Sequence, residues 1–242
     1  DSKVNINKDP YPSTYQALAA KPILIKNATI LTGTGERLDN ADIWLVDGKI
    51  KQIGQNIEVT DIQTIDAKGK WITPGLIDVH SHLGAYPSPS VESHQDGNEM
   101  TNPNTSRVWV EHSVWPQDPG FDTARAGGVT SLQILPGSAN LFGGRGVTLK
   151  NVPSTTMQGM KFPQAPYGLK MACGENPKNV YGGQHIAPST RMGNMAGYRE
   201  AWAEATEYKR EWDKYERDYA AGLNPTPPQR DLTHDTLRGV LD

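Results

Sequence analysis

His80 and His82 are two histidines separated by a single residue. Neutral imidazole is a good donor to borderline divalent cations, so two rings that can converge form a candidate metal site. Convergence depends on the backbone beneath them. In a β-strand, residues two apart point to the same side, so a strand would aim both rings into one space. The residues before the pair, Leu76-Ile77-Asp78-Val79, form a compact apolar run of the kind found in strands buried on both faces. Thr73-Pro74-Gly75 punctuates the start of that run, so the histidines fall at its C-terminal end. Two such histidines alone are common on protein surfaces. The break, the strand and its end give this pair chemical meaning.

Upstream, the pattern is β. Ile23-Leu24-Ile25 and Ala28-Thr29-Ile30-Leu31 are short β-branched runs, and Asp42-Ile43-Trp44-Leu45-Val46 leads into Asp47-Gly48, a strong two-residue hairpin signal. Lys49-Ile50-Lys51-Gln52-Ile53 alternates polar with apolar, and two more short strands flank Lys68-Gly69. Many short strands with glycine turns predict a small antiparallel sheet or sandwich over residues 22–73. Beyond Pro74-Gly75 the pattern changes. Val129-Thr130-Ser131-Leu132-Gln133-Ile134-Leu135 and Gly168-Leu169-Lys170-Met171-Ala172-Cys173 are compact strands. A short helical segment over residues 123–127 precedes the first of them, and together these elements predict parallel βα units. Tyr198, Trp202, Ala205, Trp212, Tyr215 and Tyr219 recur at steps of three and four, which predicts a long amphipathic helix over residues 196–221 with a packing stripe. After a proline-rich connector, residues 231–241 read as a second helix with Asp231 as its N-cap.

Taken together, Gly75-Leu76-Ile77-Asp78-Val79-His80-Ser81-His82 resembles the strand that opens the barrel of the amidohydrolase superfamily, in its imidazolonepropionase- and prolidase-like branch. The resemblance covers most of residues 22–242. It implies an α/β fold: the first part of a distorted TIM barrel over residues 74–242, a small β-sandwich over 22–73, and an N-terminal extension over 1–21. It implies that His80 and His82 are the first two ligands of a divalent metal. Zinc is the first expectation, manganese, iron, cobalt and nickel also suit such donors, and there are one or two ions. The resemblance makes the third ligand either Glu175 or a carboxylated Lys170. Glu175 lies just past the end of its strand, where parallel barrels place their sites, and Lys170 lies nearer the start, so Glu175 is the better placed. The family's later histidines and its catalytic aspartate match nothing in this chain. His94, His112, His185 and His234 end no apolar strand. The implied reaction is hydrolysis of a C–N bond in an amide, peptide or cyclic amide by a metal-activated water. Deacetylation or deamination is the alternative within the superfamily, and a non-catalytic barrel-derived binding protein is the alternative outside it.

The glycine-rich stretch Gly137-Ser138-Ala139-Asn140-Leu141-Phe142-Gly143-Gly144-Arg145-Gly146 reads as a loop at the mouth, with Arg145 and Asn140 as candidate substrate-binding residues. It matches neither a Walker A loop nor a dinucleotide fingerprint. Cys173, the single cysteine, reads as a small buried apolar side chain. A complete eight-unit barrel needs roughly 250 residues, and only about 170 follow Pro74. A half-barrel would leave core strands and a sheet edge bare, so a second polypeptide segment is expected to complete it, and a homo-oligomer is compatible with the same need. The net charge of −3 gives no basic excess, which argues against a nucleic-acid partner. No apolar run of about 18 residues is present, so no membrane-spanning helix is expected. The polar opening stretch, which lacks an initiator methionine, resembles a segment behind a removed signal peptide and favours an exported or periplasmic location over a cytoplasmic one.

Overall fold

A computed structural model describes residues 9–241; residues 1–8 of the expected extension, and Asp242, lie outside the described residues. The described residues divide into two compact units, one over residues 16–76 and one over residues 9–15 together with 77–241.

In the first unit, β1 (Ile23–Leu31), β2 (Arg37–Val46), β3 (Lys49–Gly54), β4 (Gln63–Asp66) and β5 (Trp71–Ile72) form one five-stranded sheet in the order β3-β2-β1-β4, with β5 also on β1. Asp47-Gly48 makes the expected hairpin: Val46 faces Lys49, and the two loop residues have φ of 50° and 69°. A type I′ turn requires positive φ at both positions. The sheet is mixed rather than antiparallel throughout, because β4 and β5 both pair with β1 in parallel. Ala28, Ile30, Ala41, Ile43 and Ala67 make its buried core. The buried carboxylate of Asp42 accepts the backbone N–H groups of Asn27 at 3.0 Å and Ile57 at 2.9 Å, which offsets the cost of taking it out of water.

The second unit holds β6 (Leu76–Ser81), β7 (Val129–Ile134), β8 (Phe142–Lys150) and β9 (Gly168–Met171), in the order β6-β7-β8-β9. With α1 (Pro119–Ala126), α2 (Met157–Met160), α3 (Glu175–Gly182), α4 (Arg191–Ala220) and α5 (Leu232–Leu241) they form an α/β body around a four-stranded sheet. The connection between β7 and β9 differs from the expected parallel unit. The glycine-rich stretch is not wholly loop: from Phe142 it is strand β8, antiparallel to both neighbours, so β7 and β9 run in the same direction on either side of it. Glycine usually weakens a strand, but here it marks close backbone approach. A Cβ on Gly144, at φ +114°, would lie 2.5 Å from the Val108 carbonyl oxygen, and one on Gly146 would lie 2.5 Å from Leu135 Cδ2.

The core of this unit gathers Phe121 of α1, Leu132 and Ile134 of β7, Val147 and Leu149 of β8, and Met157 and Met160 of α2. Asp118 caps α1 through Gly120 N–H at 2.9 Å and also accepts Gly84 N–H at 2.8 Å, which ties the loop after β6 to the helix. Helix α4 buries the predicted stripe, including Tyr198, Ala205, Tyr208, Trp212 and Tyr215. Its first half packs Tyr198 and Trp202 edge-on against Phe142 of β8, and its second half lies along α5. Asp231 caps α5 as expected, accepting the N–H groups of Thr233 at 2.8 Å and His234 at 3.0 Å.

One expectation is corrected. Strand β6 is not buried on both faces: Ile77 and Val79 are 70% and 69% exposed, because β6 stands at the edge of a four-stranded sheet whose flank is uncovered. Residues 9–15 are tied down by contacts far along the chain. Buried Lys161 holds Asp9 at 2.9 Å, the Tyr11 carbonyl at 2.7 Å and the buried Glu111 carboxylate at 2.8 Å.

Candidate metal centre

The apolar run that ends in His80 folds as a strand because β7 pairs with it, and Leu135 N–H donates to the Ser81 carbonyl at 2.9 Å just past the end of β7. His82 stands immediately beyond that pairing. Its Nδ1 lies 2.8 Å from the Leu135 carbonyl oxygen. A carbonyl can only accept, so Nδ1 carries a proton, and in the neutral ring the lone pair is then on Nε2. An outer hydrogen bond of this kind fixes both the tautomer and the plane of a metal-binding histidine. The rings of His80 and His82 are 5.3 Å apart and nearly perpendicular, and Tyr86 meets the far side of His82 edge-on at 5.7 Å.

Lys170 supplies the next contact. Its Nζ lies 3.1 Å from His80 Nε2, reached from β9 across the floor of a cavity of about 620 Å3. Burial holds the Lys170 ammonium below the ordinary lysine range, since a desolvated amine resists charging. Glu175 lines the same cavity from the start of α3, where its Oε1 accepts from Asn179 Nδ2 at 3.3 Å. Among the described residues, no three His, Cys, Asp or Glu side chains converge on a common point. Two imidazoles are brought together and the side chain in contact with His80 is a lysine, so a cation held here would need a third donor.

The other candidates stand elsewhere. Asn140 is 1% exposed and fully engaged: its Nδ2 donates to the Glu99 carbonyl and to Thr105 Oγ1, both at 2.6 Å, and its Oδ1 accepts from Tyr181. Arg145 does not line the His80 cavity; its guanidinium lies over the Trp109 ring at 4.3 Å. Strand β8 pairs with Trp109 at that position and carries the side chain there. Cys173 departs from its expected burial: it is exposed and lines the cavity, because β9 ends at Met171, two residues before it. The sequence reading missed Tyr86 and the Leu135 carbonyl. The second had a signal, since the strand ending at Pro136-Gly137 had to lie beside the strand ending at His82.

No family model matches the chain. Among curated proteins it is 33% identical over 222 residues to the amidohydrolase tasK of Hapsidospora irregularis, a match covering 81% of this chain and 23% of that protein. It is 50% identical over 60 residues to a dihydroorotase of Halalkalibacterium halodurans, covering 25% of this chain, and 32% identical over 83 residues to an N-acetylglucosamine-6-phosphate deacetylase of Lysinibacillus sphaericus, covering 34%. A solved amidohydrolase structure from Thermotoga maritima superposes with a TM-score of 0.79 at 37% identity, covering 90% of this chain and 55% of that one. The chain thus spans about a quarter of the first relative and about half of the Thermotoga chain.

Proposed function

Because this chain belongs to the amidohydrolase superfamily, we propose that the protein is a metal-dependent hydrolase of a C–N bond in an amide, a small peptide or a cyclic amide. In this reading His80 and His82 are the first two ligands of a divalent cation, with zinc the first expectation. The observation that carries it is the His82–Leu135 hydrogen bond, which leaves Nε2 free beside a second imidazole. A bound divalent cation supplies Lewis acidity, bringing the pKa of water towards about 7 and polarising a carbonyl.

The chain's own residues account for binding and orientation. The Leu135 carbonyl holds the His82 ring in one tautomer. Of the two candidates for a third ligand, Lys170 is favoured by its contact with His80. A neutral lysine amine adds to carbon dioxide and loses one proton to form a carbamate, which would turn this side chain into an oxygen donor. Burial favours the neutral amine that such a reaction needs. Glu175 then lies in the wall of the same cavity as a second acid. By the superfamily resemblance the proton-carrying aspartate would come from a last barrel strand rather than from β6 to β9. A second segment would supply it, and the exposed Ile77 and Val79 of β6 are where that segment would pack.

The test is metal content and hydrolysis measured together on the assembled protein. His80→Ala and His82→Ala should each lose bound metal and activity in parallel. Full activity with no metal would refute the mechanism, and absence of stoichiometric metal in the wild type would favour a binding protein. A panel of amide, cyclic amide and N-acetyl substrates separates this reading from deacetylation, which the likeness to the Lysinibacillus deacetylase keeps in view.

A further inference from the structure

We propose that a second cavity, sharing no lining residue with the one at His80, binds a small organic anion through Arg145 and Arg107. The cavity has a volume of about 460 Å3, enough for a ligand of modest size, and it is built from three places in the chain. Pro10 and Tyr11 close one side, Arg107, Trp109 and His112 form the second, and Arg230, Leu232 and Asp235 form the third, with Arg145 reaching in from β8.

The charges do not balance. Three guanidinium groups face the space and one carboxylate, Asp235, answers them. That carboxylate is already engaged twice, by Arg230 Nε at 2.6 Å and by Tyr208 hydroxyl at 2.7 Å. Arg107 makes no hydrogen bond or ion pair with any described residue. Arg145 makes one hydrogen bond, from Nε to Thr236 Oγ1 at 2.7 Å. Its two terminal NH2 groups have no hydrogen-bond partner among the described residues, although the group is largely withdrawn from water between Trp109, at 4.3 Å, and Tyr167, at 5.5 Å.

A partly desolvated guanidinium held flat on aromatic faces, with its donor fork open, matches the two oxygens of a carboxylate or phosphate. The stacking fixes the plane of the fork before any ligand arrives, so little freedom is lost on binding. Exposed Tyr11 and Leu232 offer an apolar wall for the rest of the molecule. The ligand class is therefore a small acid with an apolar or aromatic body.

Titration calorimetry with two probes, sodium benzoate and inorganic phosphate, tests this on the whole chain. Saturable binding of one probe per chain is expected, and the preferred probe identifies the acid group. Arg145→Gln should weaken it roughly tenfold or more, the size of a lost charge-assisted pair. Arg107→Ala, at an exposed side chain on which the fold does not depend, should weaken it severalfold and decides the matter if the first variant does not fold. His80→Ala should leave it unchanged. No saturable binding of either probe, binding in both arginine variants as tight as in the wild type, or loss of binding in His80→Ala would each overturn the proposal.

Discussion

His82 and His80 differ in what holds them. The first is oriented by the backbone, through Leu135 O at 2.8 Å, and the second meets the Lys170 amine at 3.1 Å. The two candidates for the third ligand can be separated on this basis. Lys170→Ala should lower metal retention far more than Glu175→Ala, as read by metal analysis after dialysis. Labelled carbon dioxide should give a carbamate carbon signal in the wild type that Lys170→Ala lacks. The reverse order of the two variants would return the ligand role to Glu175. Asn140 does not line the His80 cavity and is buried in a hydrogen-bond network of its own. Asn140→Ala leaves the Tyr181 hydroxyl and the Glu99 carbonyl without this partner, so it should cost about 2–3 kcal/mol in a urea melt without touching metal content.

Strand β8 and helix α4 are the elements that decide the geometry. β8 exists although three of its nine residues are glycine, because Val108, Leu135 and Lys170 crowd it where side chains would stand. Gly144→Ala combines an unfavourable positive φ with a contact against a carbonyl oxygen, and should destabilise by roughly 3 kcal/mol. The same change at open Gly222, where only the positive φ is strained, should cost less, about 1 kcal/mol. In α4, Trp212 is 1% exposed between Tyr208 and Tyr215. Trp212→Ala should lose about 3–5 kcal/mol and loosen α5, detectable as faster amide exchange over residues 232–241.

At the scale of the whole molecule, β6 is an edge strand with three exposed large apolar side chains within four residues. Leu76, Ile77 and Val79 all stand in solvent on an edge strand, a combination that soluble monomers avoid. The proposed completing segment would cover them. Intact mass measurement of the purified sample should find that segment with this chain. Alone, the chain should self-associate in sedimentation, and Ile77→Lys with Val79→Lys should suppress the association while preventing completion. A wild-type chain that sediments as a monomer with no companion would remove this proposal. None of the helices among the described residues is long and apolar enough to cross a membrane.

What the sequence determined by itself was local. The Asp47-Gly48 turn, the Asp231 cap, the α4 stripe and the strand that carries His80 and leads into His82 follow from backbone preference and side-chain period, which act over a few residues and so can be read along the chain. Tertiary structure decided everything that depends on contacts distant in sequence. Glycines at positions 143, 144 and 146 read as loop until neighbouring backbones are seen pressing on them, and only then is β8 a strand. Lys170 meets His80 across 90 residues, and Arg145 leaves the expected mouth for Trp109, because sheet order places β9 and the Trp109 segment on opposite sides of β8. The exposure of Ile77 and Val79 was equally invisible: an apolar run specifies a surface that favours burial, and only the arrangement of neighbouring strands shows whether anything covers it.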